Sequence, residues 1–345
     1  MGTYQHPSFV EGSDNQQGKI LWLQLRKELK TAGCFEIVPV QQILHMLVVV
    51  TLYAGAYLVL LTQPGIGARL ASLVLLAFIS VQAGYIAHEA GHRAITRKRW
   101  LSNIIGQFFN TFLTALCYAH FQKIHLCHHS HCNERELDID MQSDLFSLYP
   151  EAKLKNTSRI GRLITRYQAY LIWPLVSLQG FSLKVDSIQT LRRNPRNTRV
   201  DQVVLGLHFL LWFGLPVYVL GWADATINYA LMTWFIGPYL GAVFLVNHIG
   251  THVVNPGERM PGLIQKLITT RNLGDSRYED LFFGGMNNHI EHHLFPSIPS
   301  VRLRKARLII KAFCMQHGLG YREMSWRNAA GEVFTYLNRI GRMTV

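Results

Sequence analysis

The chain has 345 residues, and with 49% hydrophobic and only 16% charged residues it is more apolar and less charged than a soluble domain. Its formal net charge of +13 is spread through several segments rather than gathered in one module, so nucleic acid is not expected as a partner. An all-α integral membrane protein fits both properties.

Residues 1–40 are polar and mixed, and read as a cytoplasmic segment with a short amphipathic helix over 19–30. They hold no basic start followed by an apolar core and a small-residue cleavage site, so no secretory leader is expected. An apolar stretch over 43–61 is long enough to cross a hydrocarbon core, Gln63-Pro64-Gly65 marks a turn, and a second span over 70–87 follows. Residues 93–201 are basic. Within them 101–118 is apolar but interrupted by Ser, Asn, Gln and Thr, the pattern of an interfacial or re-entrant helix, and 167–183 is ambiguous in the same way. Third and fourth spans are predicted over 203–222 and 227–246. The membrane domain runs over 41–320. Near its end Pro296 and Pro299 stop a helix, and Arg302, Arg304, Lys305 and Arg307 read as a solvated or headgroup-facing surface. Residues 321–345 read as a cytoplasmic tail. Trp173, Trp212 and Trp234 need only core packing or an interfacial belt.

Lysine and arginine set the orientation. The segment before the first span holds 4 of them, 88–201 holds 16 and the segment after 246 holds 13, while the two short loops on the other side hold only Arg69. The positive-inside rule then puts both termini and the middle segment in the cytoplasm, and with them every histidine cluster. Five cysteines, Cys34, Cys117, Cys127, Cys132 and Cys314, show no CxxC spacing, which fits a reducing compartment better than a disulfide framework or a zinc ribbon.

Of 16 histidines, 12 fall in or beside four clusters. These are His88 and His92; His125, His128 and His129, with His120 and His131 beside them; His248 and His252; and His289, His292 and His293. On a helix, residues three or four apart share a face, so HxxxH presents two imidazoles side by side and HxxHH a third. One such histidine is ordinarily a turn residue or a satisfied core group. This many at ligand spacing point to metal, and imidazole suits iron, zinc, copper or nickel.

Three metal chemistries compete. His88, Glu89 and His92 match HExxH, in which two histidines bind zinc and the glutamate is a general base, as in an intramembrane metalloprotease. A catalytic zinc takes three protein ligands, which leaves most of the clusters unexplained. A binuclear iron oxidase would use about ten imidazoles, roughly five for each metal, for dioxygen chemistry on an unactivated C–H bond. A metal transporter would place its ligands near the bilayer midplane, whereas these lie at span exits.

The boxes HEAGH at 88–92, HLCHH at 125–129 and HIEHH at 289–293 resemble those of membrane-bound fatty acyl desaturases, more narrowly the front-end type. So do Asn133 after the second box, the acidic Asp138 and Asp140, Thr269-Thr270-Arg271-Asn272, and Gly285-Met286-Asn287 leading into HIEHHLFP. The likeness extends from about residue 40 to about 320. It implies four transmembrane helices under a cytoplasmic helical cap and two iron ions (Fe2+/Fe3+) with O2 as co-substrate. It also implies an acyl substrate carried on coenzyme A, a carrier protein or a lipid. The implied metal ligands are His88, His92, His125, His128, His129, His289, His292 and His293, with His248 from the end of the fourth span and His252 as the other candidate there. Glu89, Glu291, Asp138 and Asp140 are expected to orient imidazoles through the nitrogen not bound to metal, with Asn247 and Asn287 beside them. The implied reaction removes two hydrogens from neighbouring carbons of the chain; hydroxylation or triple-bond formation would use the same scaffold. Two departures stand out. His289 occupies a position where front-end members often carry glutamine, and the chain has no HPGG haem motif, so electrons are expected from a separate ferredoxin or cytochrome b5 docking on basic surface.

Overall fold

The computed structural model describes residues 13–63, 65–143, 145–155 and 157–343; the start of the N-terminal segment expected over 1–40 lies outside the described residues. Among these residues the chain is helical, and its extended pairings are two isolated bridges, Glu134 with Val254 and Asn272 with Glu323.

Four helices are long and apolar enough to cross a membrane: Pro39–Thr62, Ile66–Gly91, Arg199–Leu220 and Trp222–His248. They outrun their apolar windows because polar ends remain hydrogen-bonded within a helix. The third stops before its expected end. Gly221 there takes φ 85, which glycine adopts without a steric penalty, and Trp222 starts the fourth helix at once. The first two form a hairpin, and the second also packs along the fourth. Arg69 Nη1 joins Asp224 Oδ2 at 2.8 Å, tying the two tight turns together.

Residues 101–118 fall in a helix, Arg99–Gly106, that continues through wide π turns over Gln107–Phe112 and breaks at Ala115, where φ is 61. It packs on the second and third spans, and its end leaves successive carbonyls without helical partners. Side chains from three other helices supply them. His208 Nδ1 donates to Phe112 O at 2.6 Å, the Tyr53 hydroxyl to Leu113 O at 3.1 Å, and Lys184 Nζ to Thr114 O at 2.7 Å. Irregular backbone beside membrane helices is tolerated when neighbouring side chains satisfy it in this way.

Residues 167–183 divide between helices Arg159–Val176 and Gln179–Arg193, with a bend at Ser177 and Leu178. The bend lies tight against the fourth span, where a Cβ on Gly237 would sit 2.2 Å from Val176 O. Gly237→Val is therefore expected to push these helices apart and cost about 1–3 kcal/mol of stability, read as a lower thermal midpoint of the purified protein. An unchanged midpoint would show that the crossing can yield.

At the end where the second and fourth spans exit lie helices Gly262–Thr269, Arg277–Phe282, His289–Leu294 and Ser300–Gln316. Helix Ser13–Thr31 packs on the first and last of these and buries Leu25 and Leu29. Residues 321–345, read as a tail, include a packed helix, Trp326–Arg342, with Ala329, Val333 and Leu337 buried and Trp326 Nε1 donating to Ala242 O at 2.7 Å. Trp173 packs at a tilt against that same Trp326, with ring centroids 6.0 Å apart, while Trp212 is buried and donates to the Tyr53 hydroxyl at 3.0 Å. The basic run is not a uniform surface. Lys305 is exposed, but Arg307 is 3% exposed, and its guanidinium donates to the carbonyls of Leu273 and Gly274, each at 2.9 Å.

Candidate metal centre

Helix ends deliver the histidines. His88 lies in the last turn of the second span and His92 caps it, while His248 ends the fourth. His125, His128 and His129 ride on helix Tyr118–Ser130, and His289, His292 and His293 on the short helix His289–Leu294, which stops before Pro296.

Nine of the ten candidate ligands converge, in two groups. His88, His92, His125, His129 and His292 each offer a ring nitrogen within 4.8 Å of all the others. Within this group His92 and His125 approach Nε2 to Nε2 at 2.7 Å, and His129 and His292 at 2.9 Å. The second group is His128, His248, His289 and His293. Its Nε2 contacts are 2.7 Å between His248 and His289, 3.1 Å between His289 and His293, and 3.3 Å between His128 and His248. Between the groups, the rings of His129 and His293 stack at 4.4 Å. Two imidazoles bound at right angles to one ion at about 2.1 Å have nitrogens about 3 Å apart, so these contacts have the spacing of ligands round a common point. His88 Nε2 is buried with no hydrogen-bond partner in the described structure, a cost that a cation would remove. The donor set fits two ions.

Two rings are held from behind. His128 Nδ1 donates to Asp138 Oδ2 at 2.9 Å, and that carboxylate, fully buried, also accepts from Asn133 N at 2.7 Å and Asp140 N at 3.0 Å. Asp140, largely exposed, adds an oxygen 3.3 Å from the same Nδ1. His248 Nδ1 donates to Thr269 O at 3.1 Å, with Cys132 Sγ 3.5 Å away. Each bond fixes a tautomer that leaves the Nε2 lone pair facing its group.

Several residues do other work than expected. His252 is not in the cluster: the fourth helix ends at His248, so the expected shared helical face is lost, and His252 Nε2 pairs with Glu258 Oε1 at 2.8 Å. Glu89 and Glu291 bind no imidazole among the described residues. Glu89 accepts from Ser300 N at 2.7 Å, capping helix Ser300–Gln316, and Glu291 accepts from Asn272 Nδ2 and the Tyr321 hydroxyl, both at 2.7 Å. They anchor the box helices. Asn247 Nδ2 donates to Met286 O at 3.2 Å and Asn287 Nδ2 to Asp280 Oδ1 at 2.8 Å, bracing the turn before the last box. His120 pairs with Thr190 and His131 with Glu134, both away from the groups. Tyr321 had carried no signal in the sequence, because its tie to Glu291 crosses 30 residues.

Burial keeps most of these rings neutral, as ligands must be. It pushes His92 down to about 4 and His289 to about 3, and it pushes His125, His129, His292 and His293 well below the usual range, with further lowering from neighbouring rings. For His128 burial also pulls down, but the hydrogen bond to Asp138 and the charges of Asp140 and Asp138 outweigh it and raise the ring. The lowered groups take up protons on unfolding below their ordinary value of about 6.5, so the unfolded state binds more protons and stability falls as pH drops from there towards about 4. His128 works in the opposite sense, as one ring against six. The thermal midpoint of metal-free protein should therefore decline steadily from about pH 7 to about pH 5; a flat profile would mean the rings are open to water.

The fatty acid desaturase family profile matches residues 64–325. Among characterised proteins, the chain is 24% identical to an acyl-lipid (9-3)-desaturase of Physcomitrium patens over 92% of its own length and 61% of the relative's. It is 27% identical to Delta(8)-fatty-acid desaturase 2 of Arabidopsis thaliana over 76% and 62%, and 26% identical to a Delta(6)-fatty-acid desaturase of Caenorhabditis elegans over 74% and 61%. The chain thus spans about six tenths of the length of each of these relatives. With four apolar helices, histidine boxes that converge at the end where the second and fourth of them exit, and a family match over most of its length, this chain belongs to the fatty acid desaturase family.

Proposed function

We propose that the protein is an oxygen-dependent fatty acyl desaturase that inserts a double bond into an acyl chain at a non-haem diiron centre. The observation that carries this reading is the convergence of nine imidazoles as groups of five and four. A zinc protease needs three ligands and a glutamate free to activate water, whereas Glu89 is committed to Ser300 N and Gln42. Two iron ions in these groups would supply the dioxygen chemistry that oxidises an unactivated C–H bond. The chain's own part is positional. Neutral imidazoles present Nε2 lone pairs, Asp138 and Thr269 O hold two of them in register, and the apolar packing around Ile290, Leu294 and Phe295 keeps bulk water out.

The box end of the bundle faces the cytoplasm in this proposal, since 33 of the 34 lysines and arginines belong to segments on that side of a four-span layout. The same basic surface would receive a separate acidic electron donor such as a ferredoxin or cytochrome b5. Expression in a host of known lipid content, followed by mass spectrometry with double-bond localisation, tests the activity. New unsaturated acyl chains are expected; hydroxylated or acetylenic products, or an unchanged lipid profile with new proteolysis, would overturn it.

A further inference from the structure

Helix Tyr118–Ser130 carries His125 and His129 to the group of five and His128 to the group of four. Its first backbone N–H groups have no carbonyl one turn back to bond, and its cap residue, Cys117, makes no side-chain bond to them. Three other elements accept them instead. Ser187 Oγ, on helix Gln179–Arg193, accepts from Cys117 N at 3.0 Å, and Thr111 Oγ1, in the π turns, accepts from Tyr118 N at 3.2 Å. Asp201 Oδ1, in the first turn of the third span, accepts from Ala119 N at 3.2 Å.

Asp201 is 2% exposed, and its hydrogen-bond partners among the described residues are neutral. Besides Ala119 N they are the Thr111 hydroxyl, 3.4 Å from Oδ1, and Gln107 Nε2, which donates to Oδ2 at 2.9 Å. A carboxylate buried without a cation is costly, and the amides and dipole of a helix N-terminus offset part of that cost. The last box is held in the same manner: its helix has no side-chain cap of its own, and Asn272 Oδ1 accepts from Ile290 N at 2.8 Å. The rings of helix Tyr118–Ser130 do not depend equally on the cap. His128 lies near the far end, where Asp138 holds its ring and Lys266 Nζ donates to His129 O. His125 lies nearer the capped end, about 9 Å along the axis from Ala119, with its ring stacked on Phe121 of the same helix.

We infer that Asp201 is a positioning residue for the group of five: by capping helix Tyr118–Ser130 from the third span, it fixes where His125 presents its nitrogen. The inference rests on the metal-centre part of the desaturase reading and deepens it. A helix released at Ala119 swings His125, while His128 stays with Asp138.

The test titrates metal-free, full-length protein with cobalt(II), followed by visible absorption. It compares wild type, His128→Ala, and His128→Ala combined with Asp201→Ala or Asp201→Asn. His128→Ala removes a ligand of the group of four, so the tight site it retains is the group of five. Adding Asp201→Ala should weaken that site about tenfold and shift its absorption bands, as loss of a partner that orients a ligand does. Asp201→Asn keeps an oxygen for Ala119 N, and Gln107, whose Oε1 has no partner in the described structure, can turn its amide to meet the introduced one. Most of the affinity should therefore return, a rescue that a general loss of folding would not show. Where Asp201→Ala is not recovered folded, Asp201→Ser, one atom too short to reach Ala119 N, takes its place. A retained site of unchanged affinity in the Asp201→Ala combination, or no recovery with Asp201→Asn, would overturn the role of Asp201. Two cobalt sites in wild type, with the loss and the rescue but no unsaturated product in the host, would leave that role standing and remove the desaturase reading. Fewer than two cobalt ions bound by wild type would overturn both.

Discussion

Replacing His128 with alanine is expected to abolish turnover and to lower bound iron from about two ions per chain towards one. The loss is one-sided because His128 belongs to the group of four, where its Nε2 faces His248 Nε2 at 3.3 Å, and has no place in the group of five. The substitution removes a donor and also takes from Asp138, a fully buried carboxylate, the ring N–H it accepts, leaving it the backbone N–H groups of Asn133 and Asp140. Asp138→Asn keeps the imidazole but weakens the bond behind it, so metal affinity should fall about 10–100-fold with some turnover left. His252→Ala is the control, and its iron content and turnover should match wild type, because that ring pairs with Glu258 outside both groups. Iron measured on purified protein together with product analysis separates these cases. Full iron and normal turnover in His128→Ala would remove His128 from the ligand set.

The parts of this centre that could be read from the sequence are those set by local spacing. His125, His128 and His129 share one helix, so their common face follows from helical geometry alone, as it does for His289, His292 and His293. The division into five and four does not follow, because His128 and His129, adjacent in sequence, point to different groups, and only tertiary packing decides which partner each ring meets. His248 and His252 show the same limit. Helical periodicity extends the fourth span to His252, yet the chain leaves the helix after His248, and Gly250 takes φ 85. For the carboxylates, proximity in sequence to a box was a poor guide. Asp138 reaches His128 from ten residues away, whereas Glu89 and Glu291, inside their boxes, point outward from the clustered faces and bind neighbouring helices. The spans were legible because hydropathy reports lipid contact directly. Helix 99–114 was only half legible, since its acceptability depends on Tyr53, Lys184 and His208 on three other elements.

Arg307→Leu is expected to destabilise the protein by about 3–5 kcal/mol, although in sequence Arg307 looks like one more member of an exposed basic run. Its guanidinium is enclosed. Besides the carbonyls of Leu273 and Gly274 at 2.9 Å, it reaches Asn288 Oδ1 at 3.2 Å and Glu323 Oε2 at 3.1 Å. Leucine fills part of the volume but takes the guanidinium from the Leu273 carbonyl and the Asn288 amide oxygen, each at a desolvation cost of about 1–3 kcal/mol before relaxation, while Gly274 O keeps Asn287 Nδ2 at 3.2 Å. Asn288 immediately precedes His289, so release of this contact loosens the helix that carries three ligands, and metal retention should fall along with the thermal midpoint. Lys305→Leu, two positions away, is expected to change stability by no more than about 0.5 kcal/mol, because that side chain is exposed and its bond to Ala32 O lies at the surface. The two variants remove the same charge from the same helix. Equal midpoints and equal metal content would mean that net charge, rather than the buried bonds of Arg307, governs stability at this end of the bundle.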